Sequence, residues 1–169
     1  NPPYIKKSFL NKAQRKLSND LQQAAGLTNY IIKNIWSAFV IGSTDLLTEK
    51  GILGFVLPSE LLQMKFTESL RDFLRNKFER LDIFTFDELL FDCKGQNTVL
   101  LLAYKKHTQP GQYYTNIADI QQLTTKTFNL KPNTALLSTN TKWTHHALSS
   151  SDLEFLSSIR NRLQKMSSY

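Results

Sequence analysis

Apolar residues occur along the chain in two patterns. Some recur at helical spacing, and others form the short continuous runs that are typical of buried strands. Helical spacing predicts three helices, at residues 28–48, 66–81 and 152–166. Thr28 has the side chain of a helix N-cap, and Gly51 suits the left-handed residue that follows a helix C-terminus. Residues 5–26 are polar and rich in lysine, which predicts a loop with one weak helix.

Short apolar runs bounded by turn residues predict three strands, at residues 52–57, 80–86 and 97–106. The third run is apolar throughout, so we expect it in the middle of a sheet. Pro58 stops the first strand, and Ser59 is placed to cap a short helix. Residues 87–96 are predicted to form a loop. Weaker patterns predict short strands near 113–115 and 134–138 and a helical turn at 119–123.

The order helix, strand, helix, strand, strand is typical of the second half of an α/β sheet. A loop that holds the phosphates of a nucleotide needs closely spaced glycines after a strand. The six glycines of this chain are scattered, and no G-x-G occurs. Either the protein binds no nucleotide-like cofactor, or the half that binds it lies upstream of Asn1.

The composition is ordinary for a soluble globular domain: 169 residues, 41% hydrophobic and 21% charged. The net charge of +7 is compatible with a polyanion partner and equally with a solvated basic surface. Cys93 is the only cysteine, so no internal disulfide forms, and we expect a reducing cytoplasm. The three histidines lack metal-ligand spacing, which argues against a zinc site. No signal peptide and no membrane-spanning run is visible, so no membrane partner is expected.

The first four residues, Asn-Pro-Pro-Tyr, have a specific chemical use. The Asn1 side chain and the rigidly held Pro2 carbonyl are two hydrogen-bond acceptors, and Tyr4 has a flat face for a planar ring. Two acceptors beside a stacking face suit the exocyclic amino group of a purine. Hydrogen bonds from both N–H groups move the amino nitrogen towards tetrahedral geometry, which frees its lone pair for attack.

Three further stretches accompany this tetrapeptide: "LLTEKGILGFVLPSELL", "ESLRDFLRNKF" and "LLFDCKGQNTVLLLAYKK". Over residues 1–106, and more loosely over 143–166, the chain resembles the N6-adenine DNA methyltransferases of type II and type IIG restriction-modification systems. The resemblance implies an α/β fold, the second half of a Rossmann-like methyltransferase sheet. It also implies the strand order 52–57, 97–104, 80–86, with the middle strand antiparallel to both neighbours.

The resemblance implies methyl transfer from S-adenosylmethionine to N6 of an adenine that has left the DNA duplex. It assigns the catalytic motif to four residues: Asn1, Pro2, Pro3 and Tyr4. Phe91 is expected to stack on the extruded base from the face opposite Tyr4, and its alternative is a core residue at a strand edge. Basic residues that would contact phosphates are Lys6, Lys7 and Lys94, with Lys12, Arg15 and Lys16 in the same N-terminal stretch.

Two chemically suggestive features of the predicted loop are given no catalytic role. Asp87 and Glu88 are interpreted as residues that cap a turn and not as an acid/base pair. Cys93 has no adjacent histidine to lower the pKa of its thiol, so it is not expected to act as a nucleophile.

We expect two parts in the chain. Residues 1–106 are predicted to be the C-terminal half of a catalytic domain, and residues 107–169 an extension, helical and β, towards a target-recognition domain. The glycine loop and the acidic residue that bind S-adenosylmethionine are expected upstream of Asn1, so this chain alone should be inactive. The expected partners are double-stranded DNA and a restriction endonuclease, fused or encoded nearby.

Three other functions stay open at this point. Methyltransferases that modify glutamine in translation release factors also carry "NPPYI", although the stretch 8–48 does not resemble them. RNA guanine-N2 methyltransferases use a motif similar to this tetrapeptide, and a net positive charge suits them equally. A DNA-binding or phage-defence protein with an inactive methyltransferase fold is the alternative outside enzymes.

Overall fold

The computed structural model describes residues 1–27, 33–87 and 97–132, together with Trp143 and positions 151, 152, 155, 158, 159 and 162. These residues form a mixed α/β fold, as predicted. The helices are α1 (Lys12–Ala24), α2 (Trp36–Asp45), α3 (Glu60–Gln63), α4 (Glu68–Lys77) and α5 (Ile120–Thr125). The strands are β1 (Ile52–Pro58), β2 (Arg80–Phe86), β3 (Thr98–Tyr104), β4 (Gly111–Ile117) and β5 (Lys131–Pro132).

The five strands form one sheet in the order β1-β3-β2-β4-β5. Strand β3 is antiparallel to β1 on one side and to β2 on the other, with Tyr104 opposite both Ile52 and Arg80. The predicted order of the first three strands is therefore confirmed. Strand β4 is parallel to β2 over seven residue pairs and is longer than the short strand predicted near 113–115.

The centre of the molecule is a cluster of buried apolar side chains on one face of this sheet. Along β3 fully buried and half-buried residues alternate, with Val99, Leu101 and Ala103 on the buried face. The helices α2 and α4 contribute further members, among them the fully buried Trp36. Trp143, in the extension, belongs to the same cluster and is also fully buried, so the extension returns to the core.

Strand β4 is joined to the sheet by a buried polar group as well as by its backbone. The Nε of Arg80 donates to Asp82 at 2.7 Å, and both side chains are buried. The Arg80 guanidinium carbon lies 3.9 Å from the centre of the Tyr113 ring on β4. An arginine stacked on a tyrosine and paired with an aspartate keeps its hydrogen-bonding groups satisfied. Sequence reasoning did not identify this contact.

The helix predicted over residues 28–48 is shorter than expected and begins at Trp36. Its N-cap is Ile35, which makes no side-chain capping bond, and the predicted cap Thr28 lies outside the described residues. The reason is backbone pairing. The amide of Ile35 donates to the carbonyl of Ile5 at 2.9 Å, and the amide of Lys7 donates to the carbonyl of Lys33 at 3.0 Å. The backbone of residues 33–35 is bonded to the N-terminal segment, and Ile35 already has helical φ and ψ as the N-cap, so the regular helix begins only at Trp36.

Two other local predictions were wrong. Gly51 does not have the positive φ of a left-handed residue; Gly26 and Gly111 do. A Cβ at Gly51 would lie 2.9 Å from the Cβ of Leu47, so the glycine is required by close packing. The side chain of Ser59 makes no capping hydrogen bond to α3.

The stretch 5–26 contains a better helix than predicted. Helix α1 has 13 residues and a capping box at its N-terminus. The Asn11 side chain accepts from the Gln14 amide at 2.9 Å, and the Asn11 amide donates to the Gln14 side chain at 3.0 Å. This reciprocal pair satisfies two of the backbone donors that a helix start leaves unpaired. Leu21 of this helix packs in a small cluster with Leu10, which precedes α1, and with Ala38 of α2.

Of the remaining predicted elements, some are present in the described residues and others lie outside them. The helix predicted at 66–81 is α4, and the helical turn predicted at 119–123 is α5. The described positions between 151 and 162 are helical, in agreement with the predicted last helix. The strand near 134–138 and the loop residues 88–96 lie outside the described residues. Within the described part of the chain, no helix combines the length and apolar character needed to span a membrane.

Candidate functional site

The Asn-Pro-Pro-Tyr corner lies against β1. Tyr4 is half-buried, packs against the main core cluster and donates its hydroxyl to the backbone carbonyl of Val56 at 2.7 Å. Val56 is 52 residues away in the sequence. The side chain of Pro2 is buried, whereas Asn1 and Pro3 are exposed. The corner therefore presents its amide to solvent, while the Tyr4 ring and the first proline, Pro2, are held by the fold.

A short extended pair holds the backbone that follows the corner. Lys6 forms an isolated antiparallel bridge with Asn34, and the two flanking hydrogen bonds join Ile5 and Lys7 to residues 33–35. Leu10, at the end of this stretch, is only 3% exposed and packs in the interior. The N-terminal residues are thus held at two places, at β1 through Tyr4 and at residues 33–35 through Ile5 and Lys7.

The basic residues of this region differ in whether their charged groups bind other groups of the chain. Arg15 points back to the chain, with its Nε donating to the Leu10 carbonyl at 2.8 Å and its Nη2 to the Ser8 carbonyl at 3.4 Å. Lys16 pairs with Asp20 at 2.6 Å. Lys6 and Lys12 are exposed, and Lys7 is half-buried. Of the predicted phosphate contacts, Arg15 is therefore the least suited, because its guanidinium already holds a turn.

A buried arginine supports the segment after β1. Arg71 is 4% exposed and donates from Nη1 to the Leu61 carbonyl at 2.9 Å, the Met64 carbonyl at 3.2 Å and the Thr67 hydroxyl at 2.7 Å. Burial lowers the pKa of its guanidinium, against the opposite effect of the acidic residues nearby on α4. Arg71 fixes the path of the chain from the end of β1 into α4.

Sequence reasoning missed Arg71, since only the spacing of apolar residues entered the prediction of this helix. A signal was present, because Arg71 follows Leu70 directly and lies three residues before Leu74, within the apolar face of α4. A charged side chain within such a face needs internal hydrogen-bond partners.

The carboxyl end of β2 carries a chain of polar side chains that reaches β4. Asn116 donates to the Asp87 carboxylate at 2.7 Å and accepts from the Thr85 hydroxyl at 2.7 Å. The Asp87 amide also donates to the Ile117 carbonyl at 3.1 Å. Asp87 thus has a structural role in joining β2 to β4.

The other loop candidates cannot be located. Glu88, Phe91, Cys93 and Lys94 all lie outside the described residues, so the structure does not test their predicted roles. Among the described residues, no group of three or more His, Cys, Asp or Glu side chains is arranged to hold a metal ion.

Comparison with known families matches the chain to the Eco57I restriction-modification methylase over residues 1–91. The chain belongs to this family. The matched stretch runs from the Asn-Pro-Pro-Tyr corner through β1, α4 and β2, so it includes the hydrogen bond between Tyr4 and Val56. A sequence search among curated proteins found no match.

Solved structures of restriction-modification enzymes share the fold of this Eco57I-family chain. The ATP-dependent Type ISP enzyme LlaBIII, solved bound to DNA, is 16% identical with a TM-score of 0.54 and covers 79% of this chain. A nuclease-deletion mutant of the Type ISP enzyme LlaGI, solved with a DNA substrate mimic, is 16% identical with a TM-score of 0.53 and covers 70%. The Type IIL enzyme MmeI, in complex with DNA, is 16% identical with a TM-score of 0.50 and covers 79%.

This Eco57I-family chain is short beside those enzymes. It spans 12% of the length of LlaBIII, 14% of LlaGI and 18% of MmeI. The matched region therefore represents one part of a methylase fold, and it is the part that carries the Asn-Pro-Pro-Tyr corner.

Proposed function

We propose that the protein containing this chain is a DNA methyltransferase that transfers a methyl group from S-adenosylmethionine to N6 of adenine. The observation that carries the proposal is the Asn-Pro-Pro-Tyr corner, held against β1 by the Tyr4 hydroxyl in a chain of the Eco57I methylase family. The motif supplies the polar groups that an exocyclic amino group needs, and the bond to Val56 determines where they point.

Asn1 and Pro2 orient the amino group of the target base. The exposed Asn1 carboxamide oxygen accepts one N–H of the adenine amino group, and the Pro2 carbonyl accepts the other. Both bonds strengthen as the nitrogen becomes tetrahedral and positively charged, so they stabilise the transition state more than the bound substrate. The ring of Pro2 is buried, which keeps its carbonyl in a constant direction.

Tyr4 provides the platform for the base. Its hydroxyl is bound to Val56, which restricts the rotation of the side chain, and its ring is proposed to stack on adenine. The base must first leave the duplex, because N6 is not accessible inside it. Phe91 is proposed to stack on the opposite face of the base, and Lys6, Lys7 and Lys94 to contact the phosphates that flank it.

The residues present here do not fit S-adenosylmethionine itself. The cofactor would require a glycine-rich turn after a strand, and the glycines of this chain are not arranged in that way. We therefore assign its binding to residues outside this chain. When bound, it supplies an electrophilic methyl group, and the role of the present residues is to hold the amino nitrogen in line with it.

The family also suggests a role in restriction and modification. DNA is the proposed partner, because the chain is basic and its fold neighbours include enzymes solved with DNA. An endonuclease, in the same polypeptide or encoded nearby, is the second proposed partner. The single cysteine and the basic charge fit a cytoplasmic enzyme that acts on the chromosome.

A methyl-transfer assay tests the proposal. The complete polypeptide is incubated with tritiated S-adenosylmethionine and unmethylated DNA, RNA or a translation release factor, and the DNA is then digested to nucleosides. We expect label in N6-methyldeoxyadenosine and none in the other two substrates. Label in cytosine, in RNA or in protein would assign the enzyme to another class, and the absence of label in all three would refute the enzymatic function.

A further inference from the structure

An aromatic side chain is exposed close in the sequence to the Asn-Pro-Pro-Tyr corner. Phe9 ends the 3-10 turn Lys7–Phe9, five positions after Tyr4, and its side chain is 77% exposed. The neighbouring Leu10 is only 3% exposed, so the chain buries one apolar residue of the pair and leaves the larger one in water. Nothing in the roles proposed above uses Phe9.

The turn that presents Phe9 is held in place by several bonds. The Phe9 amide donates to the Lys6 carbonyl at 3.0 Å, and the Leu10 amide donates to the Lys7 carbonyl at 3.1 Å. Arg15 holds the carbonyls on both sides of Phe9, those of Ser8 and Leu10. Phe9 therefore projects from an ordered backbone, and little conformational entropy is lost if its ring binds a ligand.

The charges around the ring indicate the chemistry of that ligand. Residues 1–26 contain five basic side chains and one acidic side chain, Asp20. Asp20 is paired with Lys16, and Arg15 holds the turn, which leaves Lys6, Lys7 and Lys12 beside the aromatic. A planar ring flanked by lysines is the arrangement with which proteins bind unstacked nucleic-acid bases, since the ring stacks and the lysines attract phosphates.

We propose that Phe9 stacks on a DNA base that is left unstacked beside the extruded adenine. This inference rests on the proposed function, because it requires that the protein act on DNA. It adds a second aromatic platform outside the corner, distinct from Tyr4, whose ring packs against the core. Phe9 would hold the DNA open and position it relative to Asn1. Because every base has a flat face, this contact would not select a particular sequence.

A pair of DNA probes separates stacking from charge attraction. One probe is a single-stranded oligodeoxyadenylate, and the other is an abasic strand with the same number of phosphates. Binding of both is measured with the complete polypeptide at one fixed salt concentration. Phe9→Ala should weaken binding of the oligodeoxyadenylate roughly tenfold and leave binding of the abasic strand unchanged, because stacking requires a base.

Two further variants make the result specific. Phe9→Trp keeps a flat ring and should bind the oligodeoxyadenylate at least as tightly as the wild type. Leu17→Ala removes another exposed apolar side chain, 63% exposed on α1 in the same basic region, and should change neither probe. Thermal melting of each variant checks that the fold is kept, which the exposure of Phe9 favours.

The outcomes distinguish this inference from the function on which it rests. Equal loss on both probes, or no loss on either, would overturn stacking by Phe9 while methyl transfer to DNA by the wild type still supports the enzyme. A clear fall in melting temperature with unchanged DNA binding would mean that Phe9 packs against another part of the protein, which also overturns it. A wild type that neither binds nor methylates DNA would overturn both proposals.

Discussion

The N-terminal segment, residues 1–11, and the core sheet, strands β1, β3 and β2, are built by different interactions. The core sheet has continuous backbone ladders on both sides of β3 and a fully buried apolar face. The N-terminal segment is held by single contacts: the Tyr4 hydroxyl, the bridge at Lys6, the buried Leu10 and the side chain of Arg15.

The difference separates the stability of the fold from the proposed catalytic role of the Asn-Pro-Pro-Tyr corner. Burial of apolar surface in the core sheet supplies most of the folding free energy, whereas the segment exposes the polar group that would meet the substrate. We therefore expect substitutions in the sheet to change stability first and substitutions at the corner to change activity first. Four substitutions test this separation.

Asn1→Ala should have the largest effect, and on activity alone. Removing one preorganised polar group that acts on developing charge costs on the order of 10³-fold in turnover. Because Asn1 is exposed, the melting temperature should stay the same. The measurement is methyl transfer by the complete polypeptide at saturating cofactor and DNA. Asn1→Asp, which keeps an acceptor oxygen, is the control and should retain more activity; unchanged turnover of Asn1→Ala would reject the role of this residue.

Leu101→Ala should have the largest effect on stability. Leu101 is fully buried at the centre of β3, opposite Phe55 and Ile83, and truncating such a leucine costs about 3 kcal/mol in the free energy of unfolding. Denaturant titration measures the loss. The matched control is Leu102→Ala on the half-buried face, which should cost clearly less. If both variants lost the same amount, the two faces of the sheet would contribute equally and the comparison would fail.

Tyr4→Phe acts at the contact between the two regions and should have a smaller effect. It removes the hydroxyl that binds Val56 and keeps the ring for stacking, a loss of about 1 kcal/mol. We expect kcat/KM to fall roughly fivefold, because the ring is no longer held in one orientation. Tyr4→Ala, which removes the platform too, should cost more than Tyr4→Phe. Equal activity of Tyr4→Phe and the wild type would show that the hydroxyl does not position the site.

Glu79→Gln should have the smallest effect, and one that depends on pH. Hydrogen bonds from the Lys106 side chain and the His107 amide lower the pKa of the exposed Glu79 carboxyl. A lowered pKa in the folded state stabilises the protein above the unfolded pKa, and this stabilisation is lost as the pH falls through the folded value. Wild type and Glu79→Gln should therefore differ slightly in melting temperature at pH 7 and converge under acidic conditions. A difference that grows on acidification would contradict this.

The central part of the fold was predictable because its signals are local and strong. The apolar run of β3 indicated a central strand, and the resemblance to adenine methyltransferases implied the order of the first three strands, which the sheet confirms. The helical spacing of Leu70 and Leu74 likewise identified α4. The signals for the strand and the helix each lie within one element, whereas the strand order came from the resemblance to a known family.

The largest error in the predicted helices arose where residues pair with a distant part of the chain. The start of α2 was placed too early because residues 33–35 pair with Ile5 and Lys7, about 28 positions upstream, and that pairing leaves no trace in the spacing of apolar residues. The hydrogen bonds of Arg71 and Arg15 lie closer in the sequence but were not predicted either, because their acceptors include backbone carbonyls, which every residue possesses.

The amino-acid sequence by itself determined which chemical groups the candidate site contains, since the amide, the two prolines and the tyrosine are consecutive. It also indicated the strands β1, β2 and β3, because these segments are short apolar runs. Only the tertiary structure decided that the Tyr4 hydroxyl binds Val56, that Arg15 turns inward to present Phe9, and that β4 joins β2 in parallel. These are choices between chemically equivalent partners, and they are made by the packing of the whole chain, which brings one carbonyl or one strand edge within reach and not another.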